Sequence, residues 1–369
     1  MNPPRLYDGR SLDDWRQAMQ LLDYKSPDRA AAVPGLRQII RDPDAPWFTR
    51  RQAALTLGRI GELARAAVDD LIQLLDVPLD PVETSPPLWA LKALALFGPL
   101  AVDAAPRAIL ILRDDRQPVI LRMTATETLG RIGVASADGI AALIAGGTSQ
   151  AGQEPEQLEL RIACIEALQL AKPPAAVPML VAACDDPSDR IRHAAAATLG
   201  VLGSHAEPAA EVLGVLVIHD EIPVVREAAA RSLAQVGPRG AEVLMQLLAH
   251  GDRDVQLLAI DGARRATARQ SQLASVLVPL FNHESPLVRA QAMDAYWRLT
   301  RQADPVLNRL VSLLEHEDRR VRKSASDTLL LLGSEARPAL PQLERLATEG
   351  DPLTQAAARR VLRSLQPMP

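Results

Sequence analysis

Three histidines occupy equivalent places in this sequence, so metal binding is the first chemistry to consider. His250, His283 and His316 each stand five residues before a valine that opens a recurring segment, and His219 lies close to the same place. A metal site needs several protein ligands that converge on one ion. Successive packed helices would separate these imidazoles by about 8–10 Å. We therefore predict no metal site and interpret the histidines as residues of turns or helix ends.

The sequence contains no other motif whose residue types and spacing are typical of a catalytic site. Cys164 and Cys184 are the only cysteines, and they form no Cys-x-x-Cys pair. The sequence also lacks Gly-x-Ser-x-Gly, a phosphate-binding glycine loop and His-Glu-x-x-His. We predict that the protein has no catalytic residues, binds no cofactor and is not an enzyme.

Recurring arginines raise the possibility of a nucleic-acid groove, which would use Arg59, Arg131, Arg265, Arg298 and Arg363. Three of them follow an acid by four residues, in the pairs Glu127/Arg131, Asp261/Arg265 and Asp294/Arg298. Such pairs neutralise each other on one helix face, whereas a phosphate-binding stripe needs uncompensated cations. The net charge of −4 points the same way. We do not expect a nucleic-acid partner.

The elements that carry these residues are copies of one thirteen-residue segment, here called the repeat motif. Its first copy is Thr-Arg-Arg-Gln-Ala-Ala-Leu-Thr-Leu-Gly-Arg-Ile-Gly, residues 49–61, and the copies recur at an average spacing of 34 residues. A fixed period of this size is typical of solenoids. The ten copies begin at Thr49, Pro86, Leu121, Leu160, Ile191, Val225, Val255, Val288, Val321 and Leu353.

Each copy of the motif has the pattern of a helix. Positions 1, 5, 8, 9 and 12 are mostly apolar or small, which makes one stripe at helical spacing. Glycine at position 13 suits a helix end that needs a left-handed residue. A second amphipathic segment lies between copies, so each repeat is predicted to be a helical hairpin. Aromatic residues make up only 3% of the chain, so Ala, Leu, Val and Ile must form the core.

The pattern Val-Arg-x-x-Ala-Ala-x-x-Leu-Gly-x-Ile-Gly, preceded by Ala-x-Pro-x-Leu-x-x-Leu-Leu, resembles the HEAT repeat. It is most similar to the short bacterial form found in phycobilisome-lyase-like proteins, over residues 31–365. The resemblance implies an all-α, armadillo-like solenoid: a right-handed superhelix of about ten hairpins. We expect residues 1–30 to form an N-terminal arm and capping helix, opened by a capping box at Ser11–Asp14. Residues 31–369 are then one continuous repeat array.

The resemblance also implies a structural role for the arginine at position 2 of the motif. In the family, this arginine joins a ladder with an acidic residue of a neighbouring turn, and Asp252, Asp254 and Asp318 are candidate partners here. Exposed pairs of this kind contribute only about 0.2–1 kcal/mol each. The ladder comprises Arg50, Arg122, Arg161, Arg192, Arg226, Arg289 and Arg322.

Apolar residues at motif positions 3, 7 and 11 are the least ordinary feature, because these positions should face outward. A contiguous exposed apolar patch usually marks a partner site. Alternatively, the loops at residues 79–87 and 146–156 fold over this surface and bury it. The candidate partner-binding residues are Leu88, Leu96, Met123, Ile162, Leu170 and Val201.

The sequence as a whole therefore predicts a protein–protein interaction scaffold, with the partner on the concave surface lined by the motif helices. The alternative is a bilin-lyase-like enzyme subunit or chaperone. The first ten residues contain no apolar segment typical of a signal peptide. The longest apolar run, residues 88–102, is interrupted by Lys92 and Pro99, so no membrane span is expected. We expect a cytoplasmic protein.

Overall fold

The computed structural model describes residues 5–78, 85–133, 135–148 and 154–365. Within these ranges the chain is helical and has no β-strand beyond one isolated bridge between Tyr7 and Arg10. The predicted all-α fold is confirmed. The chain divides into two compact units, Met1–Ala183 and Cys184–Pro369.

The first unit begins with a short helix and continues as successive hairpins. Its helices are α1 (Leu12–Leu21), α2 (Val33–Arg41), α3 (Trp47–Ile60), α4 (Val68–Gln73), α5 (Pro86–Phe97), α6 (Ala105–Arg113), α7 (Val119–Ile132), α8 (Ala137–Thr148), α9 (Pro155–Ala171) and α10 (Val177–Ala183).

The second unit consists of hairpins of the same kind. Its helices are α11 (Asp189–Leu202), α12 (Ala210–His219), α13 (Pro223–Leu233), α14 (Pro238–Leu248), α15 (Arg253–Ala263), α16 (Gln270–Leu277), α17 (Pro286–Thr300), α18 (Asp304–Ser312), α19 (Arg319–Leu332), α20 (Leu340–Glu349) and α21 (Pro352–Leu365).

Each of the ten copies of the repeat motif forms most of one helix, and these are the odd-numbered helices from α3 to α21. Within each unit, successive motif helices pack side by side, for example α3 on α5 and α11 on α13. The even-numbered helices form a second layer behind them. Position 9 of the motif lies at the centre of the core: Leu57, Leu129 and Leu329 are fully buried there.

The glycines at motif position 13 end helices as the sequence predicts. Gly133 adopts the left-handed α conformation, with φ 71° and ψ 48°. Gly61, Gly98, Gly203 and Gly333 also have positive φ, between 55° and 71°. A side chain is strained in that region, so glycine lets α3, α5, α11 and α19 stop and the chain turn into the 3₁₀ segment that follows each of them.

The N-terminal helix α1 is fixed by the predicted capping box. The Ser11 hydroxyl accepts from the Asp14 N–H, and the Asp14 carboxylate accepts from the Ser11 N–H at 3.1 Å. Trp15 of α1 is 1% exposed and donates its indole N–H to the Tyr7 carbonyl at 2.7 Å. Its ring lies against Gly35 of α2, where it leaves no room for a Cβ. The helix therefore covers the end of the first hairpin.

Two helical stretches, Pro86–Arg113 and Asp189–His219, are long and apolar enough to cross a membrane. Both are interrupted by a glycine with positive φ, Gly98 at 58° and Gly203 at 62°. Each stretch is therefore two shorter helices, and none of the four has the roughly 20 residues that a span requires. About half of each apolar window is buried inside the protein. They pack within the repeats of their own unit.

Candidate interaction surface

Motif positions 3, 7 and 11 form one side of the motif helices, here called the motif face. In the first unit, Leu96 is 39% exposed, Leu170 is 61% exposed and Met123 is half-buried. In the second unit, Val201 is 40% exposed. These four of the six predicted binding residues offer apolar surface to a partner.

The structure does not expose the other two predicted residues. Leu88 is 7% exposed and Ile162 is 9% exposed, contrary to the expectation that position 3 faces outward. Position 3 has no single environment, because its burial depends on how each motif helix packs against its neighbours: Leu88 and Ile162 are buried, whereas Arg51 is exposed. The predicted covering loops fall largely on residues 79–84 and 149–153, which lie outside the described residues.

Leu96 and Leu170, the exposed leucines of the motif face, pack on glycines of the preceding motif helix. A Cβ placed on Gly58 would lie 2.9 Å from the Leu96 Cβ, and one placed on Gly130 would lie 3.4 Å from the Leu170 Cδ1. Position 11 of one motif helix therefore packs on position 10 of the helix before it. This contact holds each leucine at a fixed place on the motif face and leaves its outer side in water.

The acid–base pairs proposed from the sequence form on this face. Glu127 and Arg131 lie 2.9 Å apart, Asp294 and Arg298 lie 2.9 Å apart, and Asp261 and Arg265 lie 3.5 Å apart. The positive charge of each of these three arginines is therefore neutralised by a carboxylate on the same face.

In the second unit the pairs extend into a network around a concavity of about 510 Å³ between α13, α15 and α17. Arg231 pairs with Glu227 at 2.9 Å and reaches Asp261 at 3.5 Å. Arg264 pairs with Asp261 and lies 3.6 Å from Asp294. Burial, the largest effect, lowers the pKa of Arg264, while Asp294 opposes that shift. In this part of the motif face, arginines and carboxylates are therefore paired with one another.

The arginines at motif position 2 bind backbone carbonyls. Helix ends leave their last carbonyls without intrahelical partners, and a guanidinium there also suits the helix dipole. In four repeats the arginine Nε donates to a carbonyl at the end of the preceding helix. In the other three the Nη1 donates to a carbonyl of the turn between that helix and the motif helix. The acceptors are Ile40 for Arg50, Leu112 for Arg122, Gly147 for Arg161, Val217 for Arg226, Asp186 for Arg192, His283 for Arg289 and His316 for Arg322.

The acids suggested as ladder partners have other hydrogen bonds. Asp252 accepts from the backbone N–H groups of Asp254 and Val255 and so caps α15, and Asp318 caps α19 by accepting from the Arg320 N–H. These backbone hydrogen bonds are the main reason that the pKa of Asp252 is lowered, and Arg226 adds a smaller attraction. Arg192 does reach an acid in the next turn, Asp220, at 2.7 Å. The arginines therefore join the two helices of their own hairpin, and Arg192 also forms a contact with the next repeat.

The three equivalent histidines are turn residues. The Nδ1 atoms of His250, His283 and His316 each accept a hydrogen bond of 3.0 Å from the backbone N–H two residues later. Asp186 and Asp220 occupy the same place in earlier repeats and accept the same hydrogen bond through a carboxylate oxygen, at 2.9 Å. Aligning these acids with the histidines would have revealed the role from sequence.

The described residues contain no group of three or more His, Cys, Asp or Glu side chains that could hold a metal ion. Both cysteines are free and buried. Burial raises the pKa of the Cys164 thiol to about 11 and that of the Cys184 thiol to about 12. A nucleophilic cysteine needs a lowered pKa and access to solvent, so neither thiol is suited to that role.

Comparison with known proteins places the repeats in a family. A model of HEAT repeats matches residues 149–234 and 274–363, and a model of the PBS lyase HEAT-like repeat matches residues 49–76 and 225–250. No curated protein sequence shows a significant match.

Among solved structures, Kap121p aligns with a TM-score of 0.50 and 15% identity over 92% of this chain and 41% of Kap121p. An engineered protein aligns with a TM-score of 0.43 and 21% identity over 92% of this chain and 99% of that protein. The complex of CpcE and CpcF of phycocyanin lyase from Nostoc sp. PCC7120 aligns with a TM-score of 0.39 and 22% identity, over 72% and 93% of the two chains. At these identities the likeness concerns the fold alone, and it rests on Kap121p.

Proposed function

Because the chain belongs to the HEAT-repeat family, we propose that it is a non-catalytic scaffold that binds a protein partner on its motif face. Arrays of this kind bind through the extended concave surface that their stacked repeats create. The observation that carries the proposal is the exposed apolar surface of Leu96 and Leu170, which lie on α5 and α9, the two motif helices that pack on either side of α7. The proposed compartment is the cytoplasm, where free cysteines such as Cys164 and Cys184 are ordinary.

Capture of partners from the native host tests this proposal. The tagged chain is compared with the double variant Leu96→Asp/Leu170→Asp, and captured proteins are identified by mass spectrometry. We expect the double variant to lose at least 90% of the specific partner, because two carboxylates replace apolar contacts that binding would dehydrate (about 1.5–3 kcal/mol per buried Leu side chain). Cross-linking of the wild-type complex should place the partner next to α5 and α9.

A matched control carries two apolar-to-aspartate substitutions on the second layer, formed by the even-numbered helices. Leu110 of α6 and Val215 of α12 are 57% and 55% exposed, so Leu110→Asp/Val215→Asp adds the same charge outside the motif face. This control should keep the partner, and circular dichroism should show both double variants folded. Equal capture by all three proteins would refute binding on the motif face.

The second candidate is a bilin-lyase-like enzyme subunit or chaperone, which the match to the PBS lyase HEAT-like repeat favours. That match describes the helical hairpin, which a scaffold shares, so we place this candidate second. A new absorbance band after mixing the chain with a bilin and an apoprotein would reverse the order.

A further inference from the structure

The first unit contains a concavity of about 300 Å³ between the capping helix α1 and the motif helix α3. Its apolar wall includes Met19 of α1 together with Phe48 and Leu55 of α3. Met19 is buried, Leu55 is half-buried and Phe48 is 46% exposed. We call this feature the N-terminal pocket. It offers apolar surface at the end of the motif face.

Two arginines flank the N-terminal pocket, and their charge is not compensated. Arg51 and Arg59, at positions 3 and 11 of the first motif, line the pocket and are exposed. Neither forms an ion pair with any described residue, whereas Arg131 and Arg298 on later motif helices pair with acids at 2.9 Å. A cation with no carboxylate partner among the described residues is free to meet an anion of another molecule.

The spacing of these arginines suits a helix. Residues eight apart on one helix face are separated by about 12 Å along the axis, and Leu55 lies between Arg51 and Arg59. The next motif helix continues the same chemistry, since Lys92 and Leu96 are exposed at its positions 7 and 11. The first two motif helices thus present a positive strip, in which the cations Arg51, Arg59 and Lys92 lie beside the apolar side chains of Leu55 and Leu96.

We infer that the N-terminal pocket and this strip bind an acidic amphipathic helix of the partner. Two carboxylates about seven residues apart would meet Arg51 and Arg59, and the apolar side chain between them would enter the pocket beside Phe48 and Leu55. Helix-in-groove recognition uses such anchors at helical spacing, and opposite charges set its register. This inference rests on the proposed function and adds the chemistry of the partner.

The same arginines and aromatic rings are less suited to single-stranded nucleic acid. Base stacking needs free aromatic faces. The Phe48 ring is covered by the Arg16 guanidinium, 4.7 Å from its centroid, and meets the Trp47 ring edge-on at 6.1 Å. The Tyr24 ring lies 6.0 Å from the Arg59 guanidinium. The pocket therefore offers an apolar socket with cations at its rim, and one face of its Phe48 ring is already occupied by the Arg16 guanidinium.

A designed peptide tests the inference directly. The probe is a fluorescein-labelled helical peptide of about 15 residues, with two glutamates seven residues apart and leucines three and four residues after the first. Fluorescence polarisation at low salt measures its affinity for the full chain. We expect saturable binding that weakens as salt rises, and no binding of the same peptide with lysines in place of the glutamates.

Charge reversal in the protein identifies the site. Arg51→Glu/Arg59→Glu should weaken peptide binding about tenfold or more, because two attractions become repulsions. Arg65 and Arg337 are exposed on 3₁₀ segments and do not line the pocket, so Arg65→Glu/Arg337→Glu gives the same change in net charge and should leave affinity within about twofold. Circular dichroism confirms that both double variants are folded.

Three results would overturn the inference: no binding of the glutamate probe to the wild-type chain, equal binding by the two double variants, or displacement of the probe by a single-stranded oligonucleotide that binds more tightly. The captured partner separates the two proposals. If Arg51→Glu/Arg59→Glu keeps the partner while Leu96→Asp/Leu170→Asp loses it, this inference fails and the scaffold proposal stands. If both double variants keep it, both fail.

Discussion

At the scale of single residues, the ion pair between Arg192 and Asp220 shows how a turn is joined to the repeat before it. The Arg192 Nε and Nη2 atoms donate to the two Asp220 oxygens at 2.7 and 3.1 Å. Asp220 also accepts from the Ile222 N–H at 2.9 Å, and its side chain is 2% exposed. Burial acts to raise the pKa of Asp220, but the hydrogen bonds from Arg192 and Ile222 outweigh burial and lower it.

A lowered pKa in the folded state means that this pair stabilises the protein at neutral pH and loses its effect in acid. Asp220→Asn should reduce the free energy of unfolding by roughly 1–2 kcal/mol at pH 7. The difference from wild type should be constant above about pH 5. It should shrink as pH falls below about 4, the ordinary aspartate pKa, because the wild-type carboxylate then becomes protonated. Urea titrations between these limits measure it.

An exposed aspartate provides the comparison for this substitution. Asp254 pairs with Arg253 at 3.1 Å, but their side chains are 65% and 55% exposed. Asp254→Asn should therefore change the unfolding free energy by less than about 1 kcal/mol. A pH-independent loss in Asp220→Asn, or equal losses in the two variants, would show that the Arg192 pair does not act as described.

At the scale of the helices, close approach of neighbouring motif helices depends on small residues at position 10. A Cβ on Gly58 would lie 2.7 Å from the Ala93 carbonyl oxygen of the next motif helix, and one on Gly200 would lie 2.5 Å from the Ser232 hydroxyl. Backbone atoms cannot yield as a side chain can. The spacing between α3 and α5 is therefore set by the absence of a side chain at Gly58.

Gly58→Ala should destabilise the first unit by about 1–3 kcal/mol, because the methyl group forces α3 and α5 apart and outweighs the better helix propensity of alanine. Thermal unfolding followed by circular dichroism measures the change. Gly251→Ala is the control, since a Cβ there meets nothing within 4 Å, and its melting temperature should stay near wild type. Stabilisation by Gly58→Ala would mean that the helix interface adapts freely.

Short-range sequence patterns predicted the helices. The hydrogen-bond partners, the burial of individual residues and the pocket depend on contacts between segments that are distant in sequence. Leucine at position 9 and glycine at position 13 act within one helix, so Leu57 and Gly61 could be assigned from spacing alone. The acceptors of the position-2 arginines and the burial of Leu88 depend on how separate segments of the chain pack together. The N-terminal pocket depends on where α1 packs, and the linear sequence does not specify the distance between Met19 and Leu55.

At the scale of the whole molecule, the stability of a repeat protein is approximately a sum of repeat and nearest-neighbour terms. Within each unit the motif helices contact the helices before and after them, which is the geometry that this description requires. That residues 31–369 act as one continuous array, with residues 1–30 as its cap, stays a prediction. It implies that damage at one end spreads through the array only by way of neighbouring repeats.

Trp15→Ala tests this by removing the side chain through which α1 covers the first hairpin. Loss of a fully buried indole should cost about 3–5 kcal/mol locally, and hydrogen exchange should speed up in α1, α2 and α3 while α19 to α21 keep their protection. Leu21→Ala on the same helix, where the leucine is 75% exposed, should leave exchange unchanged throughout. Loss of protection spread evenly over both units would mean that the chain unfolds as one cooperative body, because a nearest-neighbour stack confines such a defect to the repeats around it.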